Sequence, residues 1–351
     1  MIKERGKSVL KNLNEDYYNS FFSHIYVEKA VLSHKRTKEI LKRFPKAVVI
    51  EIEHYKDVFC RSGQCVSLQH TAQNLILAAK HNNLLYEGAA VCQSFGNPWF
   101  YYTSCMMNCI FNCEYCYLKG MYPSGNVVIF VNLEDIFEEV ENLLQQHSLY
   151  LCVSYDTDLL AMEEVLGYTA EWMQFVKAHD NLKIEVRTKS ANQKFFREQE
   201  AVDGVITAFT LSAQPVIAAW EHTTPSLSQR IACAKLAMER GFQVRLAFDP
   251  MIYCKDWKHA YAAMLQEVLE GLDMEKVVDV SVGSFRVSQD YLKVMRKNEP
   301  YSAVVQFPYE NEKGVYHYPK ELMREMEQFL LEGLLKVLPR EKIFLWDEQE
   351  R

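Results

Sequence analysis

The alternation of strand and helix patterns between residues 98 and 297 is the strongest constraint on the fold of this chain. Short runs rich in β-branched and aromatic residues indicate strands, and longer stretches with apolar residues three and four apart indicate helices. We expect strands at 99–103, 149–155, 182–187, 205–212, 243–248 and 276–283, and helices at 133–146, 161–178, 190–199, 226–240, 257–270 and 288–297. Six such units in series imply a parallel sheet with right-handed crossovers. The sequence therefore predicts an α/β fold, an open doubly wound sheet or a partial (β/α)6 TIM-like barrel, and six units fit the barrel.

The regions on either side of this repeat are predicted as extensions of the barrel. Residues 1–97 are expected to form an N-terminal α/β extension, residues 98–300 the partial barrel, and residues 301–351 a C-terminal extension. Within them we expect helical structure in the first 45 residues, a strand at 46–53, a loop at 54–69, a short helix at 72–81, a last helix at 319–335 and a last strand at 342–346. Asn132 and Gly241 are expected to cap two barrel helices.

Composition and charge exclude some classes of protein. No apolar run reaches the roughly 18 residues that a membrane-spanning helix needs, and the chain begins without a signal-peptide core. We therefore expect a cytoplasmic protein that has no membrane partner and whose ten cysteines are reduced. The net charge of −7 provides no overall basic field, so binding to DNA would need a local patch.

A crowded run of cysteines carries the strongest chemical signal. Thiolates at the spacing of Cys109, Cys113 and Cys116 can hold three corners of a cubane iron–sulfur cluster and leave one iron open to a ligand. A zinc site that adds Cys105 is an alternative, although zinc sites usually use two separated pairs. Cys105, Cys109 and Cys113 could also form a buried stripe on a helix. Other cysteines are scattered and expected only to pack, namely Cys60, Cys65, Cys92, Cys233 and Cys254.

Polar residues follow the predicted barrel strands at their carboxyl ends. In parallel α/β sheets the chemistry is found at that edge. The residues concerned are Tyr155, Asp156, Thr157, Asp158, Arg187, Lys189, Ser212, Gln214, Asp249, Ser284 and Arg286. Together with the cysteine loop after the first strand, they would surround one open mouth. Such a ring of polar groups suits a zwitterionic cofactor that carries a nucleoside.

Two strings in the sequence resemble a known family. Cys109-x3-Cys113-Glu-Tyr115-Cys116-Tyr117-Leu118 is similar to the cluster loop of the spore photoproduct lyases, a branch of the radical S-adenosylmethionine (radical SAM) superfamily. The segment 130–137, FVNLEDIF, resembles the stretch that follows this loop in the family. Weaker similarity extends over roughly residues 46 to 330.

The resemblance implies a specific chemistry and specific roles. Cys109, Cys113 and Cys116 would bind a [4Fe–4S] cluster whose open iron chelates S-adenosylmethionine, and an electron donor such as flavodoxin or ferredoxin would reduce it. The resulting 5′-deoxyadenosyl radical would start the splitting of a thymine dimer in DNA, 5-thyminyl-5,6-dihydrothymine. The resemblance assigns Lys189, Ser212 and, more weakly, Thr157 to S-adenosylmethionine, and Tyr117 to hydrogen return. Tyr115, which also flanks Cys116, is a further candidate catalytic residue.

The chain departs from the family at one position. The family's hydrogen-donor cysteine belongs to a string like C-T-S-D after the second strand, where this chain has Tyr155-Asp156-Thr157-Asp158. Tyr155 is therefore the candidate donor, because Cys152 is expected on the opposite face of the strand. Two alternatives remain open, a radical SAM enzyme of this branch with another substrate and a non-catalytic zinc-stabilised protein.

Overall fold

The computed structural model describes residues 22–88 and 92–346. Its largest sheet has eight strands, and the six in the middle are parallel and correspond to the six predicted barrel strands. Their bounds are Phe100–Thr103, Leu149–Cys152, Leu182–Thr188, Val205–Thr210, Gln243–Met251 and Val277–Ser284. The strand Ile343–Leu345 adds a parallel edge beside the last of them, and Leu85–Glu87 adds an antiparallel edge beside the first. In the described part of the chain these edge strands do not pair with each other, so the sheet is open.

The two faces of this sheet differ in chemistry because successive side chains of a strand point to opposite sides. One face carries apolar residues such as Leu151 and Ile184, which belong to the main hydrophobic core. The other face carries a buried polar ladder. In it the Tyr150 hydroxyl donates to Glu185 at 2.6 Å and Arg245 Nη2 donates to Asp279 at 2.8 Å. A sheet with one packed face and one polar face can enclose a reaction on the polar side.

The barrel helices follow the predicted order with small shifts at their ends. Their bounds are Leu133–Leu144, Tyr168–Lys177, Gln193–Glu198, Leu227–Glu239, Trp257–Gly271 and Gln289–Asn298. The helix predicted at 161–178 is split, because Gly167 has a φ of 67° and separates a short turn, Glu163–Leu166, from the main helix. A helix at Gln214–Trp220 was not predicted.

The two predicted caps behave differently. Gly241 follows the helix Leu227–Glu239 with a φ of 83°, as expected of a residue just beyond a helix end. Asn132 precedes its helix, but its side chain does not cap a helical amide. Instead it exchanges two 2.8 Å hydrogen bonds with the backbone of Lys80, and thereby ties the helix start to another strand end.

A second sheet of five strands stands beside the first. Its order is Val48–Ile52, His24–Glu28, Leu75–Ala78, Val127–Phe130 and Met106–Met107, of which the first four are parallel. The predicted helix at 72–81 is wrong, because Leu75–Ala78 pairs on both sides and all four residues are buried. The predicted loop at 54–69 contains two short helices, Lys56–Phe59 and Val66–Gln69. Of the first 45 residues, 35–43 are helical, 24–28 form a strand, and 1–21 lie outside the described residues.

The two sheets exchange segments across the predicted boundary at residues 97 and 98. Met106–Met107 and Val127–Phe130 join the N-terminal sheet, whereas Leu85–Glu87 joins the barrel sheet. The cysteine loop therefore runs between the two sheets. The predicted division of the chain into three domains stays a prediction.

Towards the C-terminus, the helix Lys320–Leu334 packs on the strand Val277–Ser284. None of the helices described here is long and apolar enough to span a bilayer.

Candidate active site

The cysteine loop has an irregular backbone. Met106–Met107 pairs with the strand Val127–Phe130, and Asn112–Cys113 forms a short antiparallel bridge with Glu221–His222. One helical turn, Leu118–Met121, follows the last cysteine. The alternative of a helical cysteine stripe is therefore wrong.

Cys105 differs from Cys109, Cys113 and Cys116 in the contacts that its thiol makes. It is fully buried, and its thiol donates to the carbonyl of Val153 at 3.6 Å. Cys109, Cys113 and Cys116 instead interact electrostatically with one another. The four-cysteine zinc hypothesis therefore loses Cys105 as its fourth ligand.

The surroundings of the three thiols fit a group that carries positive charge. Burial raises the pKa of all three, that of Cys113 to about 12, and the neighbouring thiols raise it further for Cys109 and Cys113. Bound iron would offset this cost, because it ligates the thiolate form. The backbone amide of Phe111 also donates to Cys109 Sγ at 3.4 Å, a hydrogen bond of the kind that tunes cluster thiolates. The three residues therefore fit an iron–sulfur cluster.

On one side of the loop, Glu221 is the hub of a buried network. Its carboxylate accepts hydrogen bonds from Tyr115 Oη, from Ser212 Oγ at 2.6 Å, and from the Arg230 guanidinium. Burial opposes the charge of Glu221, yet Arg230 and Lys189 lower its pKa to about 2. This carboxylate is therefore ionised at neutral pH, and it belongs to the residue that pairs with Cys113.

Lys189 lies in the same network. Its ammonium is 5.5 Å from the centre of the Tyr115 ring, and its backbone amide donates to Asp158 at 2.7 Å. Burial would lower the pKa of Lys189, but Cys113 and Glu221 outweigh it and raise the pKa. Lys189, Ser212 and Tyr115 are thus brought together beside the cysteines.

Within the described part of the chain, the Thr157 hydroxyl makes no hydrogen bond to this network. The Thr157 hydroxyl is nevertheless buried without a hydrogen-bond partner among the described residues. Asp158 has a structural role, because its carboxylate accepts the amide of Ala161 at 3.0 Å and the hydroxyl of Thr188 at 2.7 Å. Thr157 therefore offers a polar atom to a ligand, whereas Asp158 fixes the neighbouring strand ends.

On the other side of the loop, Tyr117 leads to Tyr155. The Tyr117 hydroxyl donates to the backbone carbonyl of Tyr155 at 2.6 Å, and the ring centroids are 5.8 Å apart. The ring of Tyr155 also stacks on that of Tyr102 at 4.1 Å. Tyr115 and Tyr117, on either side of Cys116, therefore point to two different polar networks.

A thiol that the sequence did not single out lies at the end of this tyrosine group. Cys92 Sγ donates a hydrogen bond to Tyr155 Oη at 3.4 Å. The expectation that Cys92 only packs in the core is therefore wrong. Cys60 and Cys65 also depart from that expectation, since both are exposed, whereas Cys233 and Cys254 are buried as expected.

Three residues of the site had no signal in the sequence, namely Cys92, Glu221 and Arg230. Arg230 lies on a barrel helix and is fully buried, and Glu221 ends a short helix that was not predicted. Their importance comes from contacts between distant segments. A search for buried charged residues would have found Glu221 and Arg230, but only with the structure in hand.

A family model and a curated protein that match this chain are both described as spore photoproduct lyase. A family model described as spore photoproduct lyase matches residues 21–346. A spore photoproduct lyase from Clostridium acetobutylicum is 21% identical over 340 residues, which span 90% of this chain and 96% of that protein.

Solved structures of the same name superpose over most of the chain. A spore photoproduct lyase complexed with dinucleoside spore photoproduct gives a TM-score of 0.78 at 17% identity, with 93% of this chain and 98% of that chain covered. A variant with bound AdoMet and dinucleoside spore photoproduct gives 0.77 at 18% identity, with the same 93% and 98% coverage. These likenesses confirm the predicted fold class, an α/β partial barrel.

Proposed function

The chain belongs to the spore photoproduct lyase family, and from this membership we propose that it is a radical SAM enzyme that splits 5-thyminyl-5,6-dihydrothymine in DNA. The observation that carries the proposal is the separation of the three thiols of Cys109, Cys113 and Cys116 from that of Cys105. Cys109, Cys113 and Cys116 share one environment, while Cys105 is bonded to Val153. A set of three protein ligands leaves one iron of a cubane open.

The residues around the loop suit the cofactors of this chemistry. Cys109, Cys113 and Cys116 would hold a [4Fe–4S] cluster, reduced by a donor such as flavodoxin or ferredoxin. Lys189 and Ser212 would hold S-adenosylmethionine, with Thr157 as a further contact and Tyr115 fixing Glu221 beside them. When bound, the cluster and S-adenosylmethionine supply the carbon radical that starts the reaction. The cation of Lys189 offers a partner to a carboxylate, and the anion of Glu221 balances that cation inside the protein.

The protein's own task is then to return a hydrogen atom to the thymine. Once the methylene bridge of the lesion has broken, one base is left as a carbon radical. Cys92 can give it a hydrogen atom, so that an S–H bond breaks, a C–H bond forms and a thiyl radical remains. Tyr155 can return a hydrogen atom to the sulfur through its 3.4 Å contact, which leaves a phenoxyl radical 5.8 Å from the Tyr117 ring.

This arrangement bears on the alternative of another substrate within the same branch. That alternative rests on the acidic net charge of −7 and on the tyrosine at position 155, where the family has a thiol. Cys92, from a different segment of the chain, brings a thiol to within 3.4 Å of Tyr155 Oη. This thiol supports the spore lesion as the substrate.

The test is product analysis with the reconstituted enzyme. The protein is loaded with iron and sulfide without oxygen, reduced with dithionite, and incubated with S-adenosylmethionine and dinucleoside spore photoproduct. We expect restored thymidylyl-thymidine, and none with Cys113→Ala. Cleavage of S-adenosylmethionine without repair would mean another substrate. Failure to bind iron would remove the radical mechanism altogether.

A further inference from the structure

A cleft of about 320 Å³ lies between the two sheets, outside the cysteine loop. It is formed where strands of both sheets end: Lys80 follows Leu75–Ala78, Phe130 ends Val127–Phe130, and Ser104 follows Phe100–Thr103. Ligands of open parallel sheets bind at this carboxyl edge. The volume is at the lower end of the range for small-molecule sites and suits one nucleotide.

The walls of the cleft are aromatic. The rings of Tyr86 and Tyr102 are stacked 4.9 Å apart, and both line the cleft together with Phe130 and Tyr122. The Tyr102 ring is stacked between those of Tyr86 and Tyr155, and the Lys80 ammonium lies 4.9 Å from the centre of the Tyr86 ring, so a base would contact the cleft through Phe130 and Tyr122. Proteins that take single bases from a nucleic acid hold them against aromatic side chains. Tyr102 also stacks on Tyr155, so the cleft is one ring away from the residue that contacts Cys92.

The floor of the cleft holds two buried charged groups. The Lys80 ammonium is 7% exposed, and its hydrogen-bond acceptor in the described structure is the carbonyl of Ser104 at 3.3 Å. Burial lowers the pKa of Lys80 to about 8 although Asp156 acts in the opposite direction, and the ammonium lies 4.9 Å from the centre of the Tyr86 ring. Asp156 is 2% exposed, its Oδ2 accepts from Ser104, and the Tyr122 hydroxyl at the wall of the cleft interacts with the same carboxyl, so a base would have to take the place of the Tyr122 hydroxyl.

These two groups match one edge of a pyrimidine base. Thymine presents an N–H donor between two carbonyl acceptors on its Watson–Crick edge. A carboxylate oxygen can accept that N–H, and an ammonium can donate to a neighbouring carbonyl. At the rim, His54, Lys56 and His81 are exposed; Lys56 supplies positive charge to a phosphate, and the imidazole N–H groups can donate hydrogen bonds to it.

We propose that this cleft is a subsite for one pyrimidine nucleotide of the substrate strand, next to the lesion. Its base would lie in the floor against Asp156 and Lys80, and its phosphate would lie at the rim near Lys56. The inference rests on the proposed function for the identity of the strand. In this arrangement the enzyme also binds a nucleotide of the DNA strand outside the two damaged bases.

The first test compares two substrates. The reconstituted enzyme is assayed with dinucleoside spore photoproduct and with the same lesion inside a single-stranded hexamer of thymidines. We expect kcat/KM to be about tenfold higher for the hexamer, since one stacked base contributes on this scale. In Lys80→Met and in Lys56→Gln this ratio should fall towards one. Lys183→Met, at the amino end of the strand Leu182–Thr188, is the matched control and should keep both rates.

The second test separates this inference from the proposed function. Binding of fluorescein-labelled, lesion-free oligothymidylate to the holoenzyme is followed by anisotropy over a salt series. We expect weaker binding in both variants, a log–log salt slope shallower by about 0.7 in Lys56→Gln, and weaker binding of oligoadenylate than of oligothymidylate. Weakened binding without any repair would keep the subsite and overturn the proposed function. Unchanged binding in both variants, with repair intact, would overturn the subsite alone.

Discussion

The thiol of Cys92 donates a hydrogen bond to the phenol oxygen of Tyr155, although the two residues are 63 positions apart. Cys92 precedes the first barrel strand, and Tyr155 follows the second. Burial raises the pKa of the Cys92 thiol. The group therefore keeps its proton at neutral pH, which a donor of hydrogen atoms requires.

Replacing this thiol should change the products of the reaction. In Cys92→Ala, S-adenosylmethionine should still be cleaved, but repaired thymine should fall at least about tenfold and abortive products should rise, since the loss of a positioned hydrogen donor costs on this scale. Chromatography with mass spectrometry of the products checks this. In deuterium oxide the wild type should place deuterium in the repaired base, because the thiol exchanges its hydrogen with solvent.

Two variants make this prediction specific. Cys65→Ser changes an exposed cysteine and should leave the product ratio as in the wild type. Tyr155→Phe keeps the thiol and removes only the phenol, so the first turnover should give repaired thymine and later turnovers should slow. Normal repair by Cys92→Ala together with a defect in Tyr155→Phe would make Tyr155 the direct donor.

Cys113 and Cys105 should differ in their contribution to metal binding. Cys113→Ala should lose most of the iron and sulfide of the reconstituted protein, because a cubane held at two corners is unstable. Cys105→Ala should keep both, since its thiol bonds to the Val153 carbonyl. Iron, sulfide and zinc analysis of both variants decides this. Equal loss of metal in the two variants would restore the four-cysteine site.

The contrast between Cys105 and Cys109 shows where sequence reasoning ends. The spacing of the cysteines predicted an iron–sulfur site. It could not show that the Cys105 thiol is hydrogen-bonded to the Val153 carbonyl and not grouped with the other three, because the backbone of this segment is irregular. The barrel strands were predictable because their periodicity is local. The strand Leu75–Ala78 was not predictable in this way. Its local pattern favours a helix, but pairing with a neighbouring strand on each side makes it a strand. The contacts of Cys92 with Tyr155 and of Glu221 with Arg230 join distant segments and have no period to detect.

Lys189 should contribute mainly to cofactor affinity. Lys189→Met removes the buried cation beside Cys113 and Glu221, and the loss of such a charge partner should weaken S-adenosylmethionine binding by about thirtyfold. Anaerobic calorimetry with the reconstituted protein measures this directly. Lys194→Met removes an exposed lysine that pairs with Glu164, and its affinity should match the wild type. Unchanged affinity in Lys189→Met would move the cofactor away from this network.

Glu185 should make the stability of the barrel depend on pH. Burial would raise the pKa of this carboxyl, but Arg187 and Arg245 outweigh it and lower the pKa from 4.5 to about 2. The carboxylate therefore stabilises the folded state fully above pH 4.5, and this contribution is lost as the pH falls towards 2. At pH 7, Glu185→Gln should lower the free energy of unfolding by about 3 kcal/mol, because Arg187 loses its carboxylate partner and the buried Arg245 keeps only that of Asp279.

Urea denaturation of the wild type and Glu185→Gln between pH 7 and pH 3 measures this difference. It should be largest at neutral pH and should shrink below pH 4.5, as protonation removes the charge of Glu185 from the wild type as well. Glu164→Gln breaks an ion pair at the surface and should change the free energy by less than about 1 kcal/mol at any pH. A difference for Glu185→Gln that stays constant with pH would mean that packing, and not the charge, stabilises the polar face of the sheet.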